Sequence, residues 1–508
     1  MSAQRRYRRR MRHGWKWPGL RMLAATAPLL LVAAASGGVI PSLVNQDGIG
    51  AAAASPAVTG PVTGGNGAVV LQSTSFSLGS VGYTQSEFFL TGTASSYVPV
   101  GELGTDGVWQ VIPAGGAPYT TRIVVNRPAN PARFNGSVIV EWLNVSGGLD
   151  VAPDWLIAHN ELIRDGFAWV GVSAQAAGVG ATKAADPVRY ATLSHPGDSY
   201  SYDIYSQAGQ AVRESAATIL SGLRPRAVLA EGESQSAFRL TTYIDAIQPR
   251  AHVYDGFLVH SRGAGGFLAP LSQAPQADVP TPQVILFRPD LGVPILTVQT
   301  ETDLMQLGYL AARQPDTAGF RLWEIAGTAH ADDYIANIGA ADDGSGATAL
   351  QALNRMVDPP NGTPGFTCEE PINTGQTHYV MDAAQYALNR WVTLGIPPAP
   401  APRLQVTTAG TFALDANGNA LGGVRTPSVD APVATLSGLG QTGTSSFCFL
   451  FGTTTPFDAA KLAALYPSHG QFVSRWAAAT AAGVAAGFIR PADAAELVGA
   501  AAKSSIGG

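Results

Sequence analysis

Residues 226–240 read Arg226-Ala-Val-Leu-Ala-Glu-Gly-Glu-Ser-Gln-Ser-Ala-Phe-Arg-Leu240. Ala227 to Ala230 reads as a short apolar strand running directly into Gly232-Glu-Ser-Gln-Ser236, with a helix beginning near Ala237. A strand-to-helix turn this sharp strains its central serine and exposes the hydroxyl, while small residues two positions either side let strand and helix pass closely. Ser234 is therefore the candidate nucleophile. The motif usually ends in glycine, and Ser236 stands there instead; serine is small enough for the close approach. The plain alternative is an ordinary polar turn.

Upstream, Ser137-Val-Ile-Val-Glu-Trp142 is almost continuously apolar, as expected of a strand covered on both faces. It ends in Asn144-Val-Ser-Gly-Gly148, and a helix from about Trp155 to Asp165 leads to a strand at Ala168–Val172. A helix from about Ile204 to Leu223 then leads into the elbow strand. Downstream come strands at Ala251–His260, Val293–Gln299 and Arg321–Ala326, with a helix near Gln306–Arg313. This alternation predicts an α/β protein with a mostly parallel, doubly wound sheet, whose ligands bind outside the carboxyl ends of the strands. Short alternating segments before Asn135, such as Val108–Ile112 and Thr121–Val125, predict antiparallel additions on the N-terminal side. A helix at Ala383–Leu394 is followed by a C-terminal extension, with a turn at Asp415–Gly418 and Ala-rich helices at Phe472–Ala486 and Pro491–Lys503.

The 508 residues are 46% hydrophobic and 13% charged, enough for a large core, and the net charge of −5 gives no basic surface for nucleic acid. Positive charge clusters at Arg5–Arg12, ahead of the apolar run Met22–Ile40 and small residues. That order describes an export signal, with a retained N-terminal anchor as the alternative; Pro28 and Gly37-Gly38 count against a spanning helix. Any membrane association is expected through this segment alone, if it is uncleaved. The expected organisation is a signal or anchor at 1–45, a linker at 46–66, the main domain at 67–400, and an extension at 401–508 packed on the same domain. Cys368 and Cys448 are the only cysteines, an even pair in a chain expected to leave the reducing cytosol. A secreted protein with a disulfide is one reading, two buried thiols the other. No metal-binding motif is present and no cofactor is expected.

Acyl transfer by a serine needs a base, a carboxylate to orient that base, and two N–H donors for the oxyanion. In this architecture they follow in the order Ser, Asp or Glu, His, each at the carboxyl end of a strand. His330 is the expected base, because it follows the last predicted strand through Gly327-Thr-Ala. His260 and His252 precede the carboxylate strand, His159 lies within a helix, and His378 and His469 are on later segments. His195 is a lesser candidate for substrate contact. Asp303 is the preferred acid, with Glu301 as the alternative; the other of the two is expected to orient a neighbouring group or to cap the helix that begins near Leu304. Asp316, Asp332 and Asp333 read as surface-loop carboxylates. The oxyanion donors are expected at Gln235, at a helix N-terminus, and in the Asn144 loop, at Val145 and Ser146. The aromatic stretch Tyr190–Tyr205 and the loop Arg262–Gly266 read equally as pocket wall and as core.

Gly232–Ser236, Tyr254–Gly263, Glu301–Asp303, Arg313–Asp316, Trp323–Asp332, Gly422–Pro427 and Leu465–His469 together resemble the bacterial α/β-hydrolase-domain proteins over about residues 67 to 503. The resemblance implies the α/β-hydrolase fold and a serine hydrolase; it implies little about substrate. The expected activity is that of a carboxylesterase on a small-molecule ester. An amidase or peptidase with the same triad, and a non-catalytic binding protein at the cell envelope, are the alternatives.

Overall fold

The apolar run 137–142 is buried at every residue. Side chains alternate between the two faces of a strand, so Val138, Val140 and Trp142 enter one hydrophobic cluster while Ile139 and Leu143 enter another. Such two-sided burial belongs to the interior of a parallel sheet covered by helices. The computed structural model describes residues 55–363, 365–442 and 447–507. The expected signal or anchor lies outside them, as does the first part of the expected linker. Among the described residues no helix is long and apolar enough to cross a membrane.

The main strands are β1 Ala57–Thr59, β2 Tyr83–Pro99, β3 Val111–Pro128, β4 Ser137–Trp142, β5 Ala168–Val172, β6 Ala227–Glu233, β7 Gly256–His260, β8 Ile295–Gln299 and β9 Phe320–Glu324. They form one sheet in the order β1-β2-β3-β5-β4-β6-β7-β8-β9. From β5 to β9 neighbours run parallel. The first three strands are antiparallel and join the rest where β3 pairs with β5. Helices Ser201–Glu214 and Gln235–Thr242 supply Ile204, Tyr205, Ala208 and Leu240 to the core on one face. Pro153–Arg164 and Thr377–Leu394 supply Trp155, Leu162, Val380 and Leu388 to the other. The mostly parallel, doubly wound α/β sheet with N-terminal β additions is the architecture expected.

Several elements differ from expectation. The stretch taken as linker contributes β1, and Arg189 bonds to the carbonyls of Val62 and Gly64, so 57–66 is ordered against the domain. The short N-terminal strands are parts of one long hairpin, β2 and β3, with a register shift between Ser96 and Tyr97. The strand expected from Ala251 starts at Gly256, because Gln248–Ala251 is still helical and His252 is left-handed. The helix placed near Gln306 begins at Glu301 under a Thr300 cap and ends at Met305; Gly308, at φ 73°, separates it from the turn Tyr309–Ala312. In the extension, helices His469–Ala486 and Pro491–Lys503 share a cluster with Ala347–Val357, a helix not anticipated.

The aromatic stretch is core. Tyr202 and Tyr205 are buried against Trp142, and Tyr205 Oη donates to the Val140 carbonyl at 2.6 Å. Arg262 is also buried, its guanidinium 4.4 Å from the Phe287 ring centroid and 5.1 Å from that of Tyr309.

Candidate active site

Ser234 stands between the elbow strand and the helix with φ 57° and ψ −122°, a conformation costing a non-glycine residue on the order of 1–3 kcal/mol. Its N–H donates to the His260 carbonyl at 3.0 Å, and its carbonyl accepts from Phe238 N–H at 3.1 Å, so strand and helix both hold the strained turn. A Cβ on Gly232 would stand 3.1 Å from the Ser236 Cβ. The glycine therefore makes the room that lets Ser236 replace the usual second glycine. The helix starts at Gln235, earlier than expected.

The structure brings Ser234, His330 and Asp303 together. His330 Nε2 lies 2.7 Å from Ser234 Oγ, and Nδ1 lies 2.6 Å from Asp303 Oδ1. Asp303 is fully buried and His330 is 6% exposed. With the carboxylate on Nδ1, that nitrogen carries the proton and Nε2 accepts from the serine hydroxyl. Burial would lower the His330 pKa, but the carboxylates of Asp303 and, less strongly, Glu233 raise it, and the net direction is up. Asp303 also closes a capping box: its Oδ2 accepts from Thr300 N–H at 2.7 Å. Local helix chemistry thus aims its second oxygen at the imidazole.

Glu301 does not meet His330. Its two oxygens accept from Gly327 N–H at 2.6 Å and Gly438 N–H at 2.8 Å, tying the turn before His330 to the C-terminal extension. Burial raises its carboxyl to about 7. Thr302 Oγ1 accepts from His330 N–H at 3.2 Å and donates to the Gly438 carbonyl at 2.6 Å.

Of the expected oxyanion donors, Gln235 N–H opens a helix, where the first N–H groups have no intrahelical partner. Ser146 N–H is taken up by Asn144 Oδ1 at 2.8 Å, so the pair expected in this loop reduces to Val145. The Asn144 amide donates to the Glu233 carbonyl at 3.2 Å, drawing the loop against the elbow. Arg122 braces the same loop through Asp150 Oδ2, at 3.0 Å. His195 has both ring nitrogens engaged by backbone, at Ala174 O and Gly197 N–H, which leaves neither free to bond a substrate. Asp332 and Asp333 are buried, contrary to their reading as surface carboxylates. Sequence reasoning missed Glu233, the Asn144 amide and the buried His260. A groove of about 900 Å³ lies at the amino ends of β6, β8 and β9, lined by Arg226, Pro294, Gly319 and Leu394; it is remote from Ser234.

Cys368 and Cys448 are disulfide-bonded, 80 residues apart in sequence. The bond joins segments flanking the base: the Leu450 carbonyl accepts from Ala331 N–H at 3.0 Å, and Asn373 bonds to both Phe451 and Asp333 at 2.8 Å. Cys448→Ser is expected to lower unfolding stability by roughly 2–5 kcal/mol, read from denaturant unfolding. A midpoint equal to that of the unreduced wild type would remove the disulfide from the account.

Among solved structures, the chain is similar to an esterase of Rhizomucor miehei at 12% identity and TM-score 0.23, covering 46% of this chain and 74% of that one. It is also similar to the rice cell wall degrading esterase LipA of Xanthomonas oryzae, at 12% identity and TM-score 0.26 over 48% and 83%. A thermostable esterase from Pseudomonas putida gives 12% identity and TM-score 0.24 over 49% and 74%. At such identities and scores they carry nothing about the chemistry of this chain. No curated protein matches it. A profile of one family, however, covers residues 58–499, spanning the strained serine, the buried Asp303–His330 pair and most of the extension, and the chain belongs to that family, the alpha/beta hydrolase domain family.

Proposed function

We propose that the protein is an exported serine hydrolase that cleaves carboxylic esters through an acyl-enzyme on Ser234. The observation that carries this reading is the unbroken chain from Ser234 Oγ through His330 to Asp303, at 2.7 and 2.6 Å. Ser234 Oγ attacks the ester carbonyl carbon as its proton passes to His330 Nε2, and Asp303 stabilises the imidazolium. The N–H groups of Gln235 and Val145 receive the oxyanion. The tetrahedral adduct collapses, the C–O bond to the alcohol breaks, and His330 returns the proton to the leaving oxygen. Water then attacks the acyl carbon with His330 again as base, releasing the acid and restoring the serine. The disulfide supports export, since such bonds persist in oxidising compartments.

A fluorophosphonate probe is expected to label the purified protein at one serine, with labelling lost in Ser234→Ala and His330→Ala. A folded wild type left unlabelled would overturn the reading and leave a binding protein on a hydrolase fold. Comparing aryl esters with aryl amides separates the esterase from an amidase or peptidase.

A further inference from the structure

Next to Ser234 stands a carboxyl that this reaction does not use. Glu233 Oε1 lies 3.4 Å from His330 Nε2, the nitrogen that also meets the serine, and Oε2 accepts from the Asn144 amide at 3.3 Å. Glu233 is buried, and it pairs in register with His260 on β7. His260 is bonded through Nδ1 to Asp154 Oδ1 at 2.8 Å, and its Nε2 has no partner among the described residues. Behind Asp154 lie Glu141, accepting from the N–H groups of Asp154 and Trp155 at 3.0 Å, and Glu231, bonded to Gln385.

The charges around His330 sort by burial. Burial pushes Asp154, Glu141 and Glu231 well above the usual carboxyl range, toward their neutral forms. It lowers His260, likewise toward its neutral form. Asp332, raised by burial to about 6, faces His260. Asp303 sits on the far nitrogen of the His330 ring. Glu233 is the carboxyl in contact with Nε2; burial raises it, against the opposing pull of His330 and His260, to about 7. Its ionised form favours a proton on Nε2, whereas its neutral form leaves that nitrogen free to accept from Ser234.

Resting on the reading of Ser234 and His330 as nucleophile and base, we propose that Glu233 is a positioning residue for His330: anchored by Asn144 and faced by the His260–Asp154 pair, it sets the pH at which the imidazole becomes a free base. The reason is electrostatic. An opposite charge within about 4–6 Å stabilises the protonated ring, so removing the carboxylate moves its titration to lower pH.

Two measurements on Glu233→Gln and Glu233→Ala test this. The acidic limb of the kcat/KM profile for an aryl ester is expected to move to lower pH, raising the ratio of kcat/KM near pH 6 to that near pH 8 by about threefold. Independently of turnover, NMR of ¹³C-histidine-labelled protein follows the His330 ring, assigned by its loss in His330→Gln, and the ring is expected to titrate at lower pH in both variants. A His330 titration unmoved in a folded variant overturns the proposal. If neither variant folds, the carboxyl is structural and the proposal falls. If the ring shifts but the wild type takes no probe and cleaves no ester, the hydrolase reading fails while the control of His330 by Glu233 stands.

Discussion

Ser234→Ala is expected to lower kcat for ester hydrolysis by about 10⁴- to 10⁶-fold, leaving only what the oxyanion donors and substrate binding contribute. The effect on folding is expected to be far smaller. Alanine keeps the Cβ at the same φ of 57°, so the turn is no less strained than before. What is lost is one hydroxyl hydrogen bond to His330, of the kind that contributes about 0.5–1.5 kcal/mol net. A large loss of turnover with a nearly unchanged melting temperature is therefore the signature of a nucleophile. Steady-state hydrolysis of an aryl ester, with active-site titration to exclude wild-type carryover, reads the first, and thermal unfolding reads the second. Retention of a tenth of the wild-type rate would sink Ser234 as nucleophile.

Asp303→Asn is the second large effect, about 10⁴-fold in kcat. The buried carboxylate accepts on both oxygens, from Thr300 N–H at 2.7 Å and from His330 Nδ1 at 2.6 Å. Asparagine can keep its carbonyl oxygen on Thr300 and preserve the helix cap. Its amide then faces Nδ1 as a donor, and the ring must move its proton to Nε2, where it can no longer accept from Ser234. The fold is retained and the wrong tautomer is locked in. The rate of fluorophosphonate labelling measures the loss at the serine itself. By contrast Glu301→Gln, which leaves the His330 contacts in place, is the control that separates orientation of the base from support of its loop.

Much of this was legible in the sequence, for a physical reason. Strands buried on both faces leave continuous apolar runs, so 137–142 and 227–230 announce a parallel sheet without further help. The elbow carries its own local signature, and chain order then selects His330. Asp303 and Glu301 were not separable in the same way, since both fall in the first turn of one helix. The capping box turns Asp303 back toward the turn, whereas the partners of Glu301 include Gly438, 137 residues further on. No local pattern encodes such a contact. Glu233 stood in plain view beside the serine, but its direction depends on Asn144 from the loop after β4 and His260 from β7. Asp332 and Asp333 look like solvent carboxylates until the segment around Asn373 closes over them.

Glu301 has a further consequence for how this protein comes into being. A ribosome that has released the strands, the elbow and His330 has still not released Gly438 or Cys448, and until it does a buried acid lacks one of its two donors and the base loop lacks its clamp. The support of that loop is thus acquired late, after every strand of the main sheet has emerged. A chain halted shortly after its ninth strand has the serine, the acid and the imidazole, and lacks the contacts that hold the loop of the last.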